Sequence, residues 1–167
     1  MMWINDHRNT FGDWFFAAIT WAGSLFVLLP LSILLTGYLF TRGKKEVIHL
    51  LGLGFGGTVL LTHLLKMVIR RPRPDHFIPL TQMPVDFSFP SAHTSQITAF
   101  CLCLMIIVNQ NGSTVCNWLL GLIGLVLICC VGYSRLYLQV HFTSDVVAGI
   151  LLPIMWVTGI AFLLRHV

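Results

Sequence analysis

The sequence predicts an all-α integral membrane protein, a helix bundle of about five to six helices in which five spans follow an N-terminal interfacial helix. Only 10% of its 167 residues are charged and 56% are hydrophobic, and the mean hydropathy is +0.84. An average soluble domain has roughly 25% charged residues. The apolar residues also form runs long enough to cross ~30 Å of hydrocarbon as helices. Because the connections are short, we expect one membrane-embedded domain over residues 1–167.

The first apolar run contains no charged residue over positions 14–41. This is longer than the ~20 residues that one crossing needs. Its beginning, residues 11–21, is rich in Trp and Phe, which are typical of the membrane–water interface. We therefore expect an interfacial helix there, followed by the first span.

Further spans are predicted along the rest of the chain. The second covers residues 47–65, where Gly52 and Gly56 have the spacing that lets helices approach closely. Five prolines between positions 70 and 90 fix φ and remove hydrogen-bond donors, so this stretch is a long loop. The remaining spans are predicted at residues 91–108, 118–133 and 146–164. Alternating helix directions then place the long loop and the 134–145 connection at the same end.

The charge pattern bears on partners and orientation. A net charge of +4 and a pI of about 9.0 do not indicate nucleic-acid binding, because the few basic residues lie at the ends of apolar runs. The partner that these runs indicate is the lipid bilayer. If the cations of the loop end are reserved for a ligand, the positive-inside rule places Arg42, Lys44 and Lys45 in the cytoplasm and the loop end outside.

Three polar groups are expected to meet at the loop end. They are Lys66 with Arg70, Arg71 and Arg73; Pro90-Ser91-Ala92-His93; and Ser134-Arg135 with His141 and Asp145. Guanidinium groups match phosphate oxygens bidentately and a lysine adds a point charge, so Lys66, Arg73 and Arg135 are expected to bind a phosphoryl group. Arg70 and Arg71 are equally compatible with anchoring acidic headgroups. Asp86 is expected to solvate the loop or orient its arginines.

Pro90-Ser91 before an apolar run is typical of a helix start, where free N–H groups and the helix dipole favour an anion. We expect Ser91 and the amides of Ala92 and His93 to cradle phosphate oxygens. A simple helix cap at Ser91 is the alternative.

His141 and Asp145 are four residues apart, a spacing that predicts one shared helix face. The carboxylate can then hold one ring nitrogen and leave the other as a nucleophile. His93, from a different span, is expected to act as the general acid. A metal site made of His93, His141 and Asp145 is the alternative, but the nearby cations disfavour it, and we expect no metal and no cofactor.

These residues resemble the signature of the type 2 phosphatidic acid phosphatase superfamily, K-x6-R-P, P-S-G-H and S-R-x5-H-x3-D. The chain carries Lys66-x6-Arg73-Pro74, then Pro90-Ser91-Ala92-His93, then Ser134-Arg135-x5-His141-x3-Asp145. The one departure is Ala92, which stands where the pattern has glycine. An alanine keeps the backbone amide but limits φ.

The resemblance implies a metal-independent lipid phosphatase with a phosphohistidine intermediate. His141 would attack, Asp145 would orient it and His93 would protonate the leaving group. The phosphate would be bound by Lys66, Arg73, Ser91, Ala92, His93 and Arg135. The site would face the periplasm from a bacterial inner membrane.

Substrates in the superfamily include phosphatidylglycerol phosphate, undecaprenyl diphosphate and lipid A. The short chain, the aromatic N-terminal segment and the Arg-rich loop are most similar to lipid A 1-phosphatases. A lipid-to-lipid phosphotransferase and a non-catalytic lipid-binding protein are alternatives, and the oligomeric state is open.

Overall fold

The computed structural model describes residues 8–74, 84–109 and 114–165. In these ranges all regular secondary structure is helical. The helices are α1 (Thr10–Ile19), α2 (Leu25–Thr41), α3 (Lys45–Ile69), α4 (Ala92–Asn109), α5 (Thr114–Tyr137) and α6 (Thr143–Arg165). Five segments are long and apolar enough to cross a membrane, with α1 and α2 counted as one. The predicted all-α membrane bundle is confirmed.

The N-terminal helix α1 is separated from α2 by a break in the helix. The Asn9 side chain caps it by accepting a hydrogen bond from the Gly12 N–H at 2.7 Å. A 3₁₀ turn, Thr20–Gly23, and the extended backbone of Ser24 then interrupt the chain before α2 begins. Phe16 packs its ring against aromatic side chains of α5. The chain therefore turns where the sequence predicts an interfacial helix to give way to a span.

The close packing of α3 differs from the expectation. A Cβ at Gly52 or Gly56 would meet nothing within 4 Å, so the prediction that these two glycines bring helices together is wrong. A Cβ at Gly54 or Gly57 would instead lie 2.9 Å or less from side-chain atoms of α4 and α6. Residues Leu51–Gly56 form a π-helical segment, whose wider turn changes which glycines face the neighbouring helices.

The helix α4 lies at the centre of the bundle, in contact with α2, α3, α5, α6 and the 3₁₀ turn. Its side chains Ile97, Ala99 and Cys103 are fully buried in the main apolar core. A second apolar cluster joins the end of α2 to the start of α3 and the end of α4. This second cluster lies at the end opposite the loop that connects α3 to α4.

The connections differ in length from those expected. The loop after α3 is confirmed where it is described, since residues 70–74 and 84–91 contain no helix. Pro79 of this loop and residues 110–113, between the third and fourth predicted spans, lie outside the described residues. The predicted connection over 134–145 is shorter, because α5 continues to Tyr137 and α6 begins at Thr143.

The 3₁₀ turn lies directly against the start of α4. A Cβ on Gly23 would be 2.7 Å from the His93 carbonyl oxygen and 2.7 Å from a Val131 methyl. Real Cβ atoms do not approach other atoms this closely, so only glycine fits without a shift. Gly23 therefore sets how near the N-terminal turn comes to His93.

We expect Gly23→Ala to destabilise the protein by about 1–3 kcal/mol, because the added methyl overpacks this contact. Gly37→Ala in α2 is the matched control, since a Cβ there meets nothing within 4 Å. Alanine is the better helix former, so the control is expected to be neutral or slightly stabilising. Apparent unfolding midpoints in detergent at one scan rate compare the two. A Gly23→Ala midpoint at or above that of Gly37→Ala would contradict the packing argument.

Candidate active site

His141 lies in the short loop between α5 and α6, and Asp145 lies in the first turn of α6. The expectation that the two share a helix face is therefore wrong. They still meet, because the Asp145 carboxylate reaches back over the helix start and accepts the Phe142 N–H at 2.9 Å. The same carboxylate oxygen, Asp145 Oδ2, lies 3.4 Å from His141 Nδ1. That separation is longer than a well-formed hydrogen bond.

The second ring nitrogen of His141 faces a cation. The Arg73 Nη1 lies 3.3 Å from His141 Nε2 and also donates to the Val140 carbonyl at 2.8 Å. Burial lowers the pKa of His141 to about 4, and nearby Arg135 and Arg73 add to this against the opposite influence of Asp145. The ring is therefore neutral at neutral pH. With its proton on Nδ1 toward the carboxylate, the neutral ring carries its lone pair on Nε2, and this lone pair faces the Arg73 guanidinium.

Two of the predicted cations, Lys66 and Arg73, pair with a single carboxylate, that of Asp86. Lys66 Nζ is 3.0 Å from Asp86 Oδ2 and also donates to the Phe87 carbonyl. Arg73 pairs with Asp86 Oδ1, and its Nε donates to the Asp86 carbonyl at 2.8 Å. Burial alone would raise the pKa of Asp86, but Lys66 and Arg73 hold it below its usual range. The expectation that Asp86 orients an arginine is confirmed for Arg73.

Arg71 contacts the same carboxylate as His141. Its Nη1 lies 2.8 Å from Asp145 Oδ1 and donates to Ser144 Oγ at 2.6 Å, while the guanidinium carbon is 4.1 Å from the centre of the Phe142 ring. Sequence reasoning missed this role, because the contact joins residues that are 74 positions apart. Arg70, by contrast, is exposed, and its Nε donates to the Met67 carbonyl of its own helix at 2.9 Å.

The start of α4 is fixed to the start of α6. The Ser91 N–H donates to the Asp145 carbonyl at 3.0 Å, and the Ser91 hydroxyl lies 3.0 Å from Thr94 Oγ1. Ser91 is fully buried. The predicted helix start after Pro90 is confirmed, since α4 begins at Ala92. In this arrangement Ser91 joins two helices, and its part in a phosphate cradle stays a prediction.

His93 and Arg135 line a cavity of about 580 Å³. Arg135 is almost fully buried, and its Nη1 donates to Thr20 Oγ1 at 2.7 Å. The other lining residues come from α1, the break before α2, the start of α2, α3, the loop before α4 and α4. They are Ala17, Thr20, Trp21, Ser24, Leu25, Phe26, His63, Pro84, Ala92 and Gln96. The cavity therefore opens beside the predicted acid, His93.

The arrangement as a whole suits an anionic group. The charges of Lys66, Arg73 and Arg135 all act on the neutral His141 ring, and a carboxylate contacts its far nitrogen. Fixed cations in a water-poor site stabilise developing negative charge strongly. In the described ranges, no three His, Cys, Asp or Glu side chains are grouped so that they could hold a metal ion.

The comparison with known families decides the membership of the chain. A model of the PAP2 superfamily matches residues 46–165, which include every residue of the signature. The chain belongs to the PAP2 superfamily. Ala92 is thus a departure from a pattern that this PAP2 chain otherwise keeps.

Curated relatives of this PAP2 protein are lipid phosphatases. It is 34% identical to an undecaprenyl-diphosphatase of Sulfolobus acidocaldarius over 134 residues, which are 78% of this chain but 60% of that protein. It is 32% identical to phosphatidylglycerophosphatase B of Bacillus subtilis over 157 residues, or 92% of this chain and 71% of that protein. The chain thus spans somewhat under two thirds of the first relative's length.

Two solved PAP2 structures resemble this one. The crystal structure of a transmembrane PAP2-type phosphatidylglycerolphosphate phosphatase from Bacillus subtilis has a TM-score of 0.85 and 30% identity, covering 96% of this chain and 80% of that one. The structure of Aquifex aeolicus LpxE has a TM-score of 0.74 and 28% identity, covering 95% of this chain and 90% of that one. The bundle described above is thus a PAP2 membrane fold.

One residue of the loop that carries His141 is held in a costly conformation. Gln139 has a φ of 60°, in the left-handed region that favours glycine. Its side chain is 1% exposed, and neither its Oε1 nor its Nε2 has a hydrogen-bond partner among the described residues. A left-handed residue other than glycine costs about 1–2 kcal/mol. Each unsatisfied buried polar group adds about 1–3 kcal/mol.

We expect Gln139→Gly to stabilise the protein by about 1–3 kcal/mol, because it removes both costs while the lost side chain leaves a partly offsetting cavity. Gln139→Ala is the matched control, since it removes the amide but keeps the Cβ, and its gain should be smaller. Equilibrium unfolding by denaturant in mixed micelles measures the difference. The strain argument fails if the glycine variant is less stable than the native protein.

Proposed function

We propose that this protein is an integral membrane lipid phosphatase that forms a phosphohistidine intermediate on His141. It hydrolyses a phosphomonoester or diphosphate on a membrane lipid headgroup. The observation that carries the proposal is the position of the His141 ring between Arg73 on Nε2 and Asp145 on Nδ1. The carboxylate at Nδ1 activates the ring for attack through Nε2, and Arg73 at Nε2 is placed to bind the phosphoryl group that the ring attacks.

The reaction has two steps. In the first, His141 Nε2 attacks phosphorus, a P–N bond forms, and the P–O bond to the lipid breaks while His93 gives its proton to the departing oxygen. In the second, water attacks phosphorus and gives a proton to His93, the P–N bond breaks, and inorganic phosphate leaves. His141 and His93 return to their starting states, so the cycle consumes one water molecule.

The cations supply the electrostatic part of catalysis. Lys66, Arg73 and Arg135 hold the phosphoryl oxygens and stabilise the extra charge of the transition state. Ser91 and the amides that follow it at Ala92 and His93 add hydrogen-bond donors from the start of α4. These groups do the work that a metal ion does in other phosphatases, so the activity is metal-independent.

Phosphatidylglycerol phosphate is the first substrate to test. The relative named for that lipid matches 92% of this chain, and the structure of a phosphatase named for it gives the TM-score of 0.85. Undecaprenyl diphosphate and lipid A 1-phosphate are alternatives, the first supported by a relative at 34% identity and the second by the resemblance to LpxE at a TM-score of 0.74.

The protein is proposed to lie in a bacterial inner membrane with the site facing the periplasm. The helix directions place the turn with Arg42, Lys44 and Lys45 at the end opposite the site. Loop cations that are not committed to a ligand favour the cytoplasmic side.

The central test is phosphate release by purified protein in detergent with EDTA present. We expect full activity in EDTA, inhibition by vanadate as a pentacoordinate phosphorus mimic, and a loss of about a thousandfold or more in His141→Gln. His49 lies near the start of α3, at the end of that helix opposite Lys66. His49→Gln is therefore the matched histidine control and should retain activity. Unchanged turnover in His141→Gln, or activity lost in EDTA and restored by metal, would overturn the proposed mechanism.

A second prediction concerns Asp86, whose carboxylate pairs with both Lys66 and Arg73. A phosphate that binds these cations has to displace this carboxylate, so we expect Asp86→Asn to lower the inhibition constants of phosphate and vanadate. Because partly exposed ion pairs contribute up to about 1 kcal/mol each, the decrease should be about threefold to tenfold.

Asp13→Asn, which changes a carboxylate paired with Arg8 away from these cations, is the control and should leave both inhibition constants unchanged. Weaker inhibition in Asp86→Asn would instead mean that the carboxylate organises the cations more than it competes with the phosphate.

A further inference from the structure

The cavity beside His93 contains buried polar side chains that the phosphatase cycle does not use. Ser24 lies at the break before α2, is 3% exposed, and its Oγ has no hydrogen-bond partner among the described residues. Gln96 of α4 is also 3% exposed. Both line the cavity together with His93. Two separate elements thus bring neutral polar groups to one place.

Such groups are costly where they lie. Ser24 and Gln96 both belong to segments long and apolar enough to cross a membrane. A buried polar group without a hydrogen-bond partner costs free energy. Gln96 is one turn after His93 on the same helix, so the two side chains share a face. Ser24 Oγ lacks a partner among the described residues and lies on the same cavity wall as Gln96, so a molecule bound in the cavity can supply its hydrogen bond.

The charges around the cavity restrict what that molecule is. Among the described lining residues, Arg135 alone carries a permanent charge. In the proposed cycle Arg135 already serves the transferred phosphoryl group. His93 protonates the leaving oxygen, so the cavity wall beside it is where the rest of the lipid lies. A second phosphate there would lack a cation of its own, whereas hydroxyl or ester oxygens would find neutral donors.

We propose that Ser24 and Gln96 form a subsite for the leaving alcohol of the lipid. They hydrogen-bond a hydroxyl or ester oxygen next to the scissile phosphate. The subsite therefore selects phosphomonoesters of glycerol-based or sugar-based lipids over polyprenyl diphosphates, whose leaving group is itself a phosphate. This inference rests on the proposed phosphatase function and adds the class of substrate.

The experiment compares kcat/KM of the native protein, Ser24→Ala, Gln96→Leu and the double variant. The substrates are phosphatidylglycerol phosphate, lipid A 1-phosphate and undecaprenyl diphosphate in detergent. Each variant should lose about five- to tenfold on the phosphomonoester that the native protein prefers, the effect of one hydrogen bond to substrate. Activity on the diphosphate should change less than about twofold. The ratio of the two rates is the readout, because a general loss of structure lowers both together.

Ser32→Ala is the matched control, since this buried serine of α2 donates to the Leu28 carbonyl at 2.7 Å and lies outside the cavity. Its ratio should stay at the native value. A loss confined to phosphatidylglycerol phosphate assigns a glycerol alcohol, and one confined to lipid A assigns a sugar.

The subsite is overturned if the double variant keeps the native ratio, or if the native protein prefers the diphosphate. No phosphate release from any lipid would overturn the phosphatase itself, and the subsite with it.

Discussion

The site depends on one buried carboxylate, that of Asp145. It contacts His141 Nδ1 at 3.4 Å, accepts the Phe142 N–H at 2.9 Å and pairs with Arg71 at 2.8 Å, while the backbone carbonyl of the same residue accepts the Ser91 N–H. Three segments that are distant in sequence, around Arg71, Ser91 and residues 141–145, are thereby held at one point. A buried carboxylate is costly unless charge and hydrogen bonds compensate it, and Arg71 with the amide of Phe142 provides both. Removing Arg71 would leave the charge only half compensated.

The carboxylates also control an excess of positive charge. Lys66 and Arg73 converge at the end of the bundle, where repulsion between them would be large without Asp86 between them. Asp86 is half exposed, whereas Asp145 is fully buried. The exposed carboxylate is therefore the one that a phosphate can replace at modest cost, and the buried one is fixed. In the proposed reaction, the half-exposed Asp86 is thus displaced by the phosphate, whereas the fully buried Asp145 stays in place and holds the site together.

Features that depend on local chemistry could be predicted from the sequence. Charge-free runs gave the spans, Pro90-Ser91 predicted the start of α4, and the spacing of the motifs brought Lys66, Arg73, His141 and Asp145 to one end. Features that depend on exact helix geometry could not. A four-residue spacing is equally compatible with a helix face and with a capping carboxylate that reaches back to a loop, which is what His141 and Asp145 form.

Other differences arose from contacts between distant segments. Because α3 contains a π-helical segment, Gly54 and Gly57 make the close contacts that were predicted for Gly52 and Gly56. The spacing of the glycines does not predict a π-helical segment. Arg71 and its exposed neighbour Arg70 are both arginines and adjacent in the same loop. Only the position of α6 decides that one of them reaches Asp145 and the other does not.

The two proposed histidines of the reaction show what this packing achieves. His93 lies in the first turn of α4 and His141 precedes α6, and the Ser91–Asp145 bond joins those two helix starts within a few residues of each ring. This bond therefore fixes the spacing between the proposed nucleophile and the proposed acid.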